Sequence, residues 1–216
     1  MGENEHGRII AAQAKAALTP LGFQRIGRSR VWLADHGYWL GAVEFQPSGF
    51  SKGSYCNVAV HWLWGLTPDL TFDYGFHRVG SFAELNDTGA FSENVAGMAR
   101  AAAQSAERHR ALFISLPATA ALLVKDEHTQ ADPSGWGAFH AGVVCGLIRD
   151  EETARRMFDR VHSSDDRDID WVNERWLEVE RLMAVLGDHL VFRAEVQALL
   201  DAQRVRFKLV PCILPE

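Results

Sequence analysis

The sequence predicts an α+β fold, with an N-terminal antiparallel β-sheet packed with helices and followed by a mainly helical region. Three observations carry that expectation. Residues 23–63 alternate apolar and polar side chains with period two, and Gly- and Asp-containing turns interrupt the alternation. Segments with helical spacing lie before and after it. The strands follow one another directly instead of alternating with crossover helices, which argues against a doubly wound parallel sheet. A chain of 216 residues can bury a substantial core, and no long polar linker divides it. A single compact α+β unit over 1–216 is therefore expected, strand-rich at 23–63 and mainly helical at 91–201.

The first helix is expected from His6 to Thr19, with Asn4 or Glu3 near its start. Its interior is rich in alanine, and Ile10, Ala14, Ala17 or Leu18, and Leu21 can form an apolar stripe before Pro20 and Gly22 end it. Strands follow at 23–33, 38–46 and 54–63. Asp35-His36-Gly37 joins the first pair; Pro47-Ser48-Gly49 and Lys52-Gly53-Ser54 join the second. Gly65 through Asp87 reads as a packed loop or one more short strand. A helix from Phe91 towards Leu112 buries Phe91, Val95, Met98 and Ala102, and Pro117 prevents its continuation. Asp132-Pro133 starts the next helix, with Trp136, His140, Val143 and Leu147 as its stripe. Another begins at Asp150. The helix at 169–186 carries Val172, Trp176, Val179, Met183 and Leu186, a face suited to an intrachain core or to a partner. Gly187 ends it, Asp188 starts the last helix, and Arg204–Val210 is expected as a short edge strand.

A formal charge of −6 argues against a broadly cationic nucleic-acid surface. Arg25, Arg28 and Arg30 form a local basic cluster, read as a solvated strand face in preference to a phosphate-binding one. Seven tryptophans and twelve phenylalanines favour packing and recognition roles. Cys56, Cys145 and Cys212 are too few for a fully paired set and have no CxxC spacing. The N-terminus lacks the pattern of an export signal and no apolar run spans a bilayer, so the cytoplasm is the expected location.

Residues Leu18-Thr19-Pro20-Leu21-Gly22-Phe23, Arg25-Ile26-Gly27-Arg28, Trp32, Phe45-Gln46 and Tyr55-Cys56-Asn57-Val58-Ala59-Val60 occur in an order that resembles the bacterial domain of unknown function 4304 family, with Arg78-Val79-Gly80 as a weaker extension. The resemblance covers the first third of the chain. It implies an α+β domain and transfers no catalytic residue.

Candidate ligand-binding residues come from the sheet face opposite the covering helix: Arg28, Arg30 and Trp32 on the first strand, Gln46 on the second, and Tyr55 and Asn57 on the third. Arginine suits an anion, Trp and Tyr a planar or apolar group, and Asn and Gln fix orientation. Glu44 and His61 are the candidate catalytic bases, with Arg28 beside them to stabilise an anionic intermediate. The same residues also suit a solvated ionic network. His77, His109 and His140 accompany no nucleophile or metal motif, and His140 reads as a packed histidine. Asp165, Asp166, Asp168 and Asp170 lack the spacing of a calcium loop, so no metal and no cofactor is expected. Gly135 and Gly137 make neither a dinucleotide fingerprint nor a P-loop. The leading functional expectation is a noncatalytic recognition or scaffold module for a small molecule or protein. A small-molecule hydrolase with its site on the sheet face is the alternative.

Overall fold

The computed structural model describes residues 5–126, 129, 132, 134–162 and 169–216. The fold is α+β. The chain forms two compact units, Met1–His61 with Leu70–Ala111, and Trp62–Asp69 with Leu112–Glu216.

The first unit opens with α1 (Glu5–Leu18) and a single 3-10 turn, Thr19–Leu21. Gly22 reverses the chain at a φ of 87°, a left-handed conformation that glycine adopts without steric cost. The strands are β1 (Gln24–Arg25), β2 (Val31–Asp35), β3 (Trp39–Glu44), β4 (Gly53–Ser54), β5 (Asn57–Trp62), β6 (Tyr74–Arg78) and β7 (Ala83–Glu84), followed by α2 (Thr88–Leu112). An antiparallel five-stranded sheet runs β1-β2-β3-β5-β6, and β4 pairs with β7 in a separate two-stranded ladder.

The expected strand over 23–33 is corrected to a hairpin. β1 and β2 pair antiparallel, and residues 26–30 turn between them. Gly27 has a φ of 52°, and the Ile26 and Ser29 amides donate to the Val31 and Ile26 carbonyls. Polar alternation continues through such a short turn, so periodicity alone does not separate it from a strand.

One core cluster of this unit lies on the helix-covered face of the sheet, and Leu40, Ala42 and Ala59 on the other face are buried as well. Ile10, Ala14 and Leu18 of α1 and Phe91, Val95, Met98 and Ala102 of α2 cover Trp32, Ala34, Val43, Phe45, Cys56 and Val58. These strand residues are spaced by two within each strand, as one face of a pleated sheet requires. Their neighbours Glu44, Gln46 and Asn57 thereby fall on the opposite face.

The second unit is helical: α3 (Leu116–Lys125), α4 (Trp136–Leu147), α5 (Glu151–His162), α6 (Asp170–Val185) and α7 (His189–Arg206). Ser115 caps α3 by accepting the Ala118 amide, and proline stands in its first turn. The start expected at Asp132 is corrected to Trp136, although the Asp132 carboxylate still accepts the Gly137 amide at 3.0 Å. Pro133 lies outside the described residues, as do Glu3, Asn4, Asp165, Asp166 and Asp168. Residues Ala138 through Leu147 are all buried, so α4 is enclosed on every side and not only along one stripe. Asp150 and Asp188 accept amides of the first turns of α5 and α7, as their positions imply. The edge strand expected at Arg204–Val210 is corrected: α7 continues through Arg206, and Arg204 Nε donates back to the Val210 carbonyl at 2.6 Å. Among the described residues no helix is long and apolar enough to cross a membrane.

Candidate functional site

The strand register places three polar side chains in a row at one end of the sheet face that lies opposite α1 and α2. Val31 pairs with Glu44, which sets Glu44 between the core residues Val43 and Phe45 and turns it to the other side. Asn57 pairs with Arg78 in the β5–β6 ladder, and cross-strand partners share a face. Gln46 and Tyr55 extend the row where the chain leaves β3 and approaches β5, with the Tyr55 amide donating to the Gln46 carbonyl.

These residues form one hydrogen-bonded cluster. Asn57 is buried, and its Nδ2 donates to Glu44 Oε2 at 3.0 Å and to Gln46 Oε1 at 3.1 Å. Gln46 Oε1 also accepts from Arg78 Nη2 at 3.4 Å. The Arg78 guanidinium lies 4.1 Å from the centroid of the Tyr55 ring, and that ring packs on Phe82 at 4.8 Å. Among the described residues Asn57 Oδ1 is enclosed and meets no hydrogen-bond partner. A chain of contacts thus runs from a buried amide to an exposed guanidinium seated over an aromatic ring.

The other sequence candidates separate from this cluster. Trp32 is 4% exposed and belongs to the helix-covered core, so its placement on the face opposite the covering helix is corrected. Its Cβ side follows from register, because Trp32 pairs with the core residue Val43. Arg30 shares that covered side at its rim, where Nη2 donates to His6 Nδ1 at 3.4 Å. Arg28 is exposed in the β1–β2 turn, its carbonyl accepting from Arg25 Nη2.

His61 is fully buried, with Nδ1 2.8 Å from Thr71 Oγ1 and 3.3 Å from Asp73 Oδ2. It ties the segment leading into β6 to the end of β5. Glu44 is instead engaged by Asn57. The structure therefore gives Arg28, Glu44 and His61 three different hydrogen-bond settings, and it does not assemble them as an acid–base group.

Nearby groups have equally defined roles. Burial, reinforced by the Glu44 charge, pushes the Cys56 thiol up to about 12 and suppresses its thiolate. On the covered side His77 Nδ1 lies 2.7 Å from the Gly75 carbonyl, which makes it the donor, and Nε2 faces Ser105 Oγ at 3.0 Å. Ser105 Oγ is also the acceptor for Arg108 Nη2 at 2.7 Å and is 1% exposed, which suits a packing bond better than a nucleophile. Burial, then the neighbouring His77 and Arg108, lowers His109 to about 4. In the second unit His140 Nδ1 accepts from Trp64 Nε1 at 3.2 Å and its ring stacks near Trp136.

Sequence reasoning missed Arg78, Thr71 and Asp73 as partners of the candidate residues. The only signal for Arg78 was its register against Asn57, which a bulged ladder between Val58 and Val60 conceals. The chain matches no family model, no curated protein and no solved structure.

Proposed function

We propose that the chain is a noncatalytic recognition module that binds a small carboxylate-bearing ligand through Arg78, at the exposed end of the sheet face opposite α1 and α2. The observation that carries this reading is the Arg78 guanidinium seated over the Tyr55 ring and hydrogen-bonded to Gln46. A guanidinium offers a planar fork of donors that matches a carboxylate, and the ring contact restrains that fork before the ligand arrives. Less side-chain freedom is then lost on binding. The supporting residues favour holding over proton transfer, since Asn57 and Gln46 are amides that do not titrate in the physiological range. Glu44 accepts from Asn57 and supplies negative charge behind the amides, selecting against a second anion in that position.

The resemblance to the domain of unknown function 4304 family belongs to this reading and adds no catalytic group to it. The hydrolase alternative is not favoured, because it requires Glu44 or His61 beside Arg28. Isothermal titration with benzoate and its neutral isostere benzamide tests the proposal. Benzoate should bind saturably and benzamide should not. Arg78→Gln should weaken benzoate binding about tenfold or more, the worth of a charge-assisted hydrogen bond, while far-UV circular dichroism stays unchanged. Equal binding of the two probes, or binding indifferent to Arg78→Gln, removes the proposal.

A further inference from the structure

The loop Pro47-Ser48-Gly49-Phe50-Ser51-Lys52-Gly53 lines one side of an open, solvent-facing cavity of about 570 Å³. His6 of α1, Arg30 ahead of β2 and Leu85 beyond β7 form the other side. That volume lies within the roughly 300–1,000 Å³ span of small-molecule pockets. Two cationic side chains, Arg30 and Lys52, line it from separate segments together with the imidazole of His6, against one carboxylate, Glu5.

The cavity walls are held in place by specific bonds. Arg30 Nη2 donates to His6 Nδ1, and a guanidinium has only protons to offer, so the imidazole accepts there. The neutral ring then carries its own proton on Nε2. Burial, followed by the Arg30 charge, holds His6 below the usual histidine range. On the loop, Ser48 Oγ accepts the Phe50 and Ser51 amides at 3.1 and 3.3 Å, which leaves its hydroxyl proton available for donation. Lys52 is positioned by its carbonyl, which accepts the Leu85 amide at 2.8 Å. Gly53 pairs with Glu84 so closely that a Cβ there would overlap the Ala83 carbonyl and the Phe82 ring. The loop therefore returns to the same place at Lys52–Gly53 and presents Phe50 at its tip, where the ring is fully exposed.

We propose that this cavity binds the phosphate group of a small phosphate monoester, with Phe50 covering the ester's organic part. A tetrahedral dianion takes donors from several directions, which Arg30, Lys52 and the Ser48 hydroxyl supply from opposite walls. A planar carboxylate can be satisfied by one guanidinium and gains less from such an arrangement. An exposed aromatic ring beside a charged cavity is suited to a planar or apolar body next to the anion. The site is separate from the Arg78 face, and neither assignment depends on the other.

Titration calorimetry with inorganic phosphate, phenyl phosphate and phenol tests the site. Phenyl phosphate should bind more tightly than inorganic phosphate, and phenol should not bind. Lys52→Gln and Arg30→Gln should each weaken both anions about tenfold, the loss of one charge-assisted contact, while Glu5→Gln should strengthen them. Phe50→Ala should bring phenyl phosphate down to the affinity of inorganic phosphate and leave the latter unchanged. Lys52 is exposed, so Lys52→Gln keeps the test decisive even where Arg30→Gln disturbs the packing against α1. Absence of saturable phosphate binding overturns the proposal. So does phosphate affinity that ignores Lys52→Gln, or phenol binding as well as phenyl phosphate.

Discussion

Gly142→Ala and Gly97→Ala are the same chemical change in two helices, yet the structure predicts opposite signs. Alanine is favoured over glycine in a helix interior by about 1 kcal/mol, so each substitution begins with that gain. At Gly97, inside α2, a new Cβ meets nothing within 4 Å, and the gain should appear almost whole. At Gly142, inside α4, the Cβ would lie 2.5 Å from Phe158 Cε1 and 2.6 Å from Cδ1. Phe158 is fully buried on α5 and belongs to a packed interior with little free volume in which to retreat. Overpacking of this kind costs about 1–3 kcal/mol and exceeds the helix-propensity gain over most of that range, leaving a net loss of up to about 2 kcal/mol. Gly146 faces Phe192 in still closer contact, so Gly146→Ala should be at least as damaging. Urea unfolding followed by tryptophan fluorescence, with unchanged slopes between variants, measures the differences. A Gly142→Ala protein as stable as Gly97→Ala would refute the close α4–α5 packing on which the second unit's core is built.

Two further outcomes follow from buried titrating groups. His36 and His109 are both lowered to about 4, chiefly by burial, whereas an unfolded histidine titrates near 6.5. Between these values the unfolded chain binds more protons, so stability should be complete above about pH 6.5 and fall as the pH drops towards 4. Urea midpoints across that window should show the decline, with His109→Gln flattening it; a midpoint independent of pH contradicts the burial of His109 and the partial burial of His36. For the thiols, burial raises Cys56 and Cys145 to about 12, while Cys212 is only partly buried. Mass spectrometry after brief maleimide treatment at neutral pH should find Cys212 labelled first in native protein and all three cysteines labelled in urea. Rapid native labelling of Cys56 would contradict its place beneath the sheet.

The helical part of the fold was legible wherever a stripe, a cap and a breaker coincided. Ile10, Ala14 and Leu18 are the buried line of α1, and Val172, Trp176, Val179 and Leu186 are buried on and beside α6. Asp150 and Asp188 marked helix starts because a carboxylate at that point satisfies amides that have no intrahelical acceptor. Strand boundaries were less legible. Gly27 makes a turn inside a polar stretch that keeps its alternation, and β6 lies where Gly75, with a φ of 64°, and a bulge break the period of two. The candidate site suffered from the same limit. Gln46, Tyr55, Asn57 and Glu44 were correctly grouped on one face, because they sit between core residues of neighbouring strands. Trp32 was assigned to that face without a fixed register, and its true side became visible only through its pairing with Val43. Arg78 reached the site through a ladder that a single sequence does not specify.

The recognition reading is tested most directly at the Arg78 side chain itself. In a proton–nitrogen NMR spectrum of the uniformly labelled protein, the Arg78 Nε–H resonance, assigned by its loss in Arg78→Gln, should shift saturably as benzoate is added. Benzamide should leave it in place. Tyr55→Leu, which removes the ring 4.1 Å from the guanidinium, should weaken the benzoate response several-fold, in line with about 0.5–1 kcal/mol for an exposed cation–π contact. An Arg78 resonance that stays fixed while benzoate shifts other residues would contradict the claim that this guanidinium is the recognition group.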